Sequence, residues 1–130
     1  LTALRMVDEM DAGPVYLKRD LDLHGTAEEV YIRATALAAD MVAEIVTNTP
    51  EPAPQEGEVV PFQRRRPSES AIPDLPSLDA VHDFIRMLDA EGYPSAYLDH
   101  GGFRYRFTRA ARYDGRVVAD VTITPLGDEG

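Results

Sequence analysis

Three prolines within five residues, Pro50, Pro52 and Pro54, constrain this chain more than anything else in it. Each fixes φ and removes a backbone donor, so no helix interior or central strand can run through them. The surrounding stretch, Thr47 to Gly57, also carries Glu51, Gln55 and Glu56. Its composition makes it an extended, semi-rigid linker. The chain must therefore be built from one part before the linker and another after it. Its 130 residues suffice for about one average domain or two small ones.

Ahead of the linker, two apolar alternating stretches flank one acidic loop. Leu4 and Met6 come before it, and Val15, Leu17, Leu21 and Leu23 after it. Period-2 alternation indicates half-buried strands. The loop between them runs from Val7 to Pro14, carries Asp8, Glu9 and Asp11, and ends in the turn pair Gly13-Pro14. His24-Gly25 closes the second stretch. Thr26-Ala27-Glu28-Glu29 then fits a capping box. Val30, Ala34, Leu37, Met41 and Ile45 follow at steps of four and three, one stripe of a helix over about 27–47.

Past the linker, Val59 to Gln63 has the composition of a short edge strand, and Arg64-Arg65-Arg66 follow it. Such a run is either a solvated patch or a grip for an anion, since guanidinium pairs bidentately with phosphate or carboxylate. Ser77 is placed to cap a helix whose stripe is Leu78, Val81, Ile85 and Leu88. That helix is predicted to reach about Ala90, before Gly92-Tyr93-Pro94. Three short strands come next: around Ala96–Leu98, from Phe103 to Thr108, and from Val117 to Thr124. Phe103, Tyr105 and Phe107 should point inward together, leaving Arg104 and Arg106 to water. Asp114-Gly115 suits a type I′ hairpin turn. The tail from Pro125 to Gly130 is expected to fray. On these residues alone, the last part is a helix packed on a small antiparallel sheet.

Several classes are excluded or disfavoured. There is no cysteine, hence no disulfide framework and no thiolate metal site. A reducing cytoplasm is compatible with that. No apolar run approaches the ~18 residues that span a membrane. Asp8, Glu9 and Asp11 have no His or Cys beside them, so no metal centre is expected. The three histidines, His24, His82 and His100, sit in contexts typical of the surface. With a formal charge of −10, the chain lacks the basic footprint of a dedicated nucleic-acid binder.

The apolar strand ending in Val7-x-Glu9-x-Asp11-x-Gly13-Pro14 resembles the folate-binding loop of the formyltransferases that use N10-formyltetrahydrofolate. That group includes methionyl-tRNA formyltransferase and the amino-sugar N-formyltransferases. Two further stretches carry the resemblance: Phe62-x-Arg64-Arg65-x-Pro67-x-x-Ser70 with Ile72, and Phe84 to Leu98. The resemblance implies an α+β fold. Residues 1–48 would end a Rossmann-like catalytic domain, 49–76 would be the linker with its arginine patch, and 77–130 would form a small OB-like C-terminal domain. It further implies that Asp11 is catalytic, that Val7, Asp8, Glu9, Met10 and Asp11 hold the cofactor, and that Arg64, Arg65 and Arg66 contact the acceptor.

The family's catalytic Asn and its His-x-Ser-x-Leu-Pro motif are absent from these residues. The chain, which opens on Leu1, therefore resembles the later part of such an enzyme and should not be competent alone. The expected acceptor is a small amine, such as that of a nucleotide-linked amino sugar, with tRNA second. The arginines at 104, 106, 109, 112 and 116 are the residues a tRNA reading would draw on. A homodimer is compatible with the resemblance. The rival from another class is a non-catalytic binding or dimerisation module, in which the acidic loop is an ordinary turn.

Overall fold

The computed structural model describes residues 1–127, which form two compact units. The first comprises Leu1–His24 and Glu29–Phe62. The second comprises Gly25–Glu28 and the chain from Gln63 onward. Both are small α+β arrangements with antiparallel pairing.

In the first unit, β1 (Thr2–Leu4) pairs antiparallel with β2 (Val15–Lys18), with an irregularity between Ala3 and Leu4. These strands are shorter than the apolar alternation suggests. Met6 is left outside β1 and is 95% exposed, and Leu21 and Leu23 lie beyond β2. Helix α1 (Ala27–Asn48) follows. The stripe Val30, Ala34, Leu37, Met41 and Ile45 is half-buried throughout, and Met41 is buried. Burial of this kind, rather than propensity, holds most helices in place. The Arg33 guanidinium donates to the carbonyl of Asp22 at 2.9 Å and to that of His24. It thus fixes the turn leading into the helix.

Val59 to Gln63 does not form a strand, contrary to expectation. Val59 and Phe62 are almost wholly exposed, and no ladder bond among the described residues reaches them. The linker's ladder contact lies earlier, where Ala53 and Val15 exchange N–H···O bonds of 2.7 and 2.9 Å.

The second unit packs α2 (Leu78–Arg86) on a sheet of order β3-β4-β5: β3 (Ala96–His100), β4 (Phe103–Tyr113) and β5 (Arg116–Pro125). Ser77 caps α2 by accepting from the Ala80 N–H at 3.1 Å. The helix ends at Arg86, short of Ala90. Leu88 and Asp89 donate instead to the carbonyls three residues back, a tighter terminal turn that still seats Leu88 in the core. The core is Ile85, Leu88 and Ala96, with Ile72, Val81, Phe84, Phe107 and Ala110 packed against it.

Register places Ala96, Phe107 and Val121 in one row and Leu98, Tyr105 and Ile123 in the next, all on the face toward α2. The other face carries Tyr97, Asp99, Arg104, Arg106, Thr122 and Thr124. Its arginines are not simply solvated. Arg104 lies 4.0 Å over the Tyr97 ring and grips Asp99 with bonds of 2.8 and 3.0 Å, and Arg106 donates to Thr124 at 3.1 Å.

The turn chemistry also differs from expectation. Gly101 and Gly102, joining β3 to β4, both take positive φ, the requirement of a type I′ turn. Between β4 and β5 only Gly115 does, so Asp114-Gly115 is not that type. Leu126, in the tail expected to fray, donates to the Gly102 carbonyl at 2.9 Å. Residues 128–130 of that tail lie outside the described residues.

Candidate active site

The acidic loop is closed at its base by the Arg5 N–H, which donates to the Pro14 carbonyl at 2.8 Å. Gly13 is buried directly against Arg5. A Cβ there would overlap the Arg5 carbonyl oxygen and lie 2.9 Å from its carbon. Only glycine allows this approach, and Pro14 then starts the return strand.

The far side of the loop is held by a linker residue. The Gln55 side-chain amide donates to the carbonyls of Asp11 (2.7 Å) and Gly13 (2.8 Å). The Ala53–Val15 bridge sets Gln55 in position. Sequence reasoning missed this brace. The one signal for it is an amide side chain at Gln55 among prolines and carboxylates.

Asp11 sits at the tip in the left-handed region, φ 56°. Aspartate tolerates that conformation better than most residues. Its carbonyl is tied down, while its carboxylate is exposed and has no partner among the described residues. Asp8 and Glu9 are also exposed, and Met10 is 89% exposed. The backbone groups of Val7 and Asp8 make no hydrogen bond among the described residues. The loop thus presents a fixed backbone edge of unused donors and acceptors beside an unpaired carboxylate. Among the described residues no three His, Cys, Asp or Glu side chains come together to hold a metal ion.

Arg64, Arg65 and Arg66 lie in the second unit and line an open groove of ≈ 790 Å³ with Gln63, Pro67, Ser70, Gly92, Tyr93 and Pro94. The three arginines are not equivalent. Arg65 donates to the Glu69 carbonyl at 2.7 Å and stands 5.8 Å over the Phe84 ring, so it braces the short 3-10 turn Pro67–Ser70. Arg66 gives its backbone N–H to the Glu69 carboxylate. Arg64 and Arg66 form no ion pair among the described residues.

Residues 67–124 match the family described as methionyl-tRNA formyltransferase, C-terminal domain. Among solved structures, methionyl-tRNA formyltransferase from Clostridium thermocellum superposes with a TM-score of 0.91 at 44% sequence identity. The chain belongs to the formyltransferase family. The match covers 95% of this chain and 55% of the clostridial one, so these residues span about half of that relative's length. No curated protein matches the chain significantly. Among the described residues of this formyltransferase chain, no helix is long and apolar enough to cross a membrane.

Proposed function

We propose that this chain carries the cofactor loop and acceptor-binding part of an enzyme that moves a formyl group from N10-formyltetrahydrofolate to a small amine, one borne by a nucleotide-linked sugar. In this reading residues 1–48 end the Rossmann-like catalytic domain, 49–76 link the domains and 77–130 make the OB-like C-terminal domain. The observation that carries it is the Asp11 tip: an exposed, unpaired carboxylate on a loop braced by Gly13 and Gln55.

The residues present fit the cofactor. A pterin edge is an array of amide-like donors and acceptors, and the free backbone groups of Val7 and Asp8 are its complement. The backbone from Val7 to Asp11 would hold that ring. When bound, the cofactor supplies an electrophilic formyl carbon. The Asp11 carboxylate would take up the proton that the attacking amine loses and help pass it to the nitrogen that departs as the old formyl bond breaks. Oxyanion stabilisation falls to groups outside these residues.

The acceptor reading rests on how the arginines are spent. Arg104 is paired with Asp99, Arg109 with Asp120 and Arg112 with Asp79, while Arg116 stacks 5.1 Å over Tyr113. The three arginines paired with aspartates are poorly disposed to collect phosphates along a nucleic acid, whose affinity rests on free cationic contacts. Methionyl-tRNA is the second reading, favoured by the clostridial neighbour's name.

The test uses the full-length enzyme carrying Asp11→Asn, assayed for tetrahydrofolate release with nucleotide-linked amino sugars and, separately, with methionyl-tRNA. Turnover should fall by about 10²–10⁴-fold, the usual worth of a positioned proton-transfer group. Near-normal formyl transfer by the variant would remove Asp11 from the reaction. Turnover of the parent enzyme with tRNA alone would transfer the assignment to the second reading.

A further inference from the structure

We infer that the groove walled by Arg64, Arg66 and Tyr93 binds a compact diphosphate, the diphosphate portion of a nucleotide-linked ligand. The inference rests on the acceptor reading of these arginines and says what they hold.

Four arginines of the second unit are held by aspartates. Arg86, Arg104, Arg109 and Arg112 each face an aspartate, at 2.6 Å for Arg86–Asp83 and Arg112–Asp79 and 2.8 Å for Arg104–Asp99. Arg64 and Arg66 face none among the described residues. The nearest acid in the chain, Glu69, is occupied by the Arg66 backbone N–H and does not neutralise either guanidinium. Arg65 is likewise without an acid, its guanidinium bonded to the Glu69 carbonyl, so in a chain of net charge −10 this one groove carries three successive arginines with no ion pair among the described residues.

The groove is built before any ligand arrives. Ser70, 1% exposed, donates from Oγ to the Pro94 carbonyl at 3.0 Å, which ties the 3-10 turn to the opposite wall. The Tyr93 N–H donates to the Ala90 carbonyl at 3.1 Å, and Gly92 supplies the positive φ that this turn needs. Arg65 stiffens the floor by its bond to Glu69 and its stacking on Phe84. Preorganisation of this kind lowers the cost of binding.

Charge and size define the ligand. A guanidinium takes one phosphate bidentately, so two of them suit two linked phosphates. Tyr93, 40% exposed on the same groove, offers an aromatic face to the attached nucleoside. The groove's ≈ 790 Å³ lies within the ~300–1,000 Å³ typical of small-molecule sites. A long polyanion is disfavoured because Arg104, Arg109 and Arg112 are each paired with an aspartate, which breaks up a basic track along the sheet.

The experiment is calorimetric titration of the full-length enzyme, free of folate, with uridine 5′-diphosphate, inorganic pyrophosphate and a single-stranded RNA of about 20 nucleotides. Uridine diphosphate should bind, and Arg64→Gln and Arg66→Gln should each weaken it about tenfold or more, as expected for loss of a charge-assisted pair. Tyr93→Ala should weaken uridine diphosphate and leave pyrophosphate unchanged. Arg109→Gln, at a paired arginine, should alter neither. The inference is overturned if neither phosphate compound binds, if both groove variants bind as the native chain does, or if RNA binds more tightly than uridine diphosphate and displaces it. These titrations contain no folate and do not involve Asp11, so their failure leaves the formyl-transfer reading intact, and failure of Asp11→Asn leaves this site intact.

Discussion

Substituting Gly13 by alanine adds one methyl group at the tightest point of the acidic loop. That methyl would fall on the Arg5 carbonyl oxygen, a backbone atom with no rotamer to escape into. Relief requires the two strands to separate at the loop's base. Overpacking of this kind costs about 1–3 kcal/mol. Separation also breaks the Arg5 N–H bond to Pro14, worth roughly 0.5–1.5 kcal/mol net. The sum is about 1.5–4.5 kcal/mol, a large share of the ~5–15 kcal/mol that holds a typical domain together. Amide hydrogen exchange reads it locally. The Arg5 N–H should exchange about 10- to 1,600-fold faster in Gly13→Ala, taking 1.4 kcal/mol per factor of ten. Gly102→Ala is the control: φ there is 84° and the new methyl meets open space, so the strain is confined to the β3–β4 turn. Its Arg5 exchange should match the native chain. If Gly13→Ala leaves Arg5 exchange within about twofold of native, the steric reasoning is wrong.

Gln55→Ala removes both side-chain bonds to the loop, so in the full-length enzyme the folate KM should rise with little change in acceptor KM; an unchanged folate KM would make the brace irrelevant to the cofactor. Ser77→Ala deletes the cap of α2 and should lower the urea midpoint by the equivalent of about 1 kcal/mol, an unmoved midpoint being the contrary result. The Arg104 side chain, by hydrogen bonding and then by charge, holds the Asp99 carboxyl below its usual 3.8. A depressed carboxylate stabilises the fold above the ordinary carboxylate range, and that contribution disappears as pH falls through the lowered value. Arg104→Gln should return the Asp99 titration, followed by NMR, to the ordinary range; a titration that stays low would assign the shift to something else.

Much of this architecture is legible because it depends on periodicity. The stripe from Val30 to Ile45 is half-buried with Met41 buried, and Val81, Ile85 and Leu88 face the core as their spacing requires, whereas Leu78 of the same stripe is exposed. The grouping of Phe103, Tyr105 and Phe107 on one sheet face obeys the same logic. The illegible features depend on long-range partners. Val59 to Gln63 has strand composition, yet the linker residue that pairs is Ala53, because that is where β2 offers a free edge. Composition cannot announce that Arg104 will lie on Tyr97 rather than in water, since the contact exists only once β3 and β4 are in register. Turn type escapes the sequence for a local reason: a type I′ turn needs positive φ at both central residues, which two glycines take freely at 101 and 102 but which Asp114, having a Cβ, does not take. At the candidate site, Asp11 and Gly13 are visible from their motif, whereas the bracing role of Gln55 is hidden behind a separation of 44 residues.

That separation has a consequence during synthesis. Asp11 leaves the ribosome 44 residues ahead of Gln55, and at about 5–20 residues per second that interval is roughly 2–9 s. Throughout it the β1–β2 hairpin has its turn but not its clamp. The loop reaches its final shape only when the proline segment emerges.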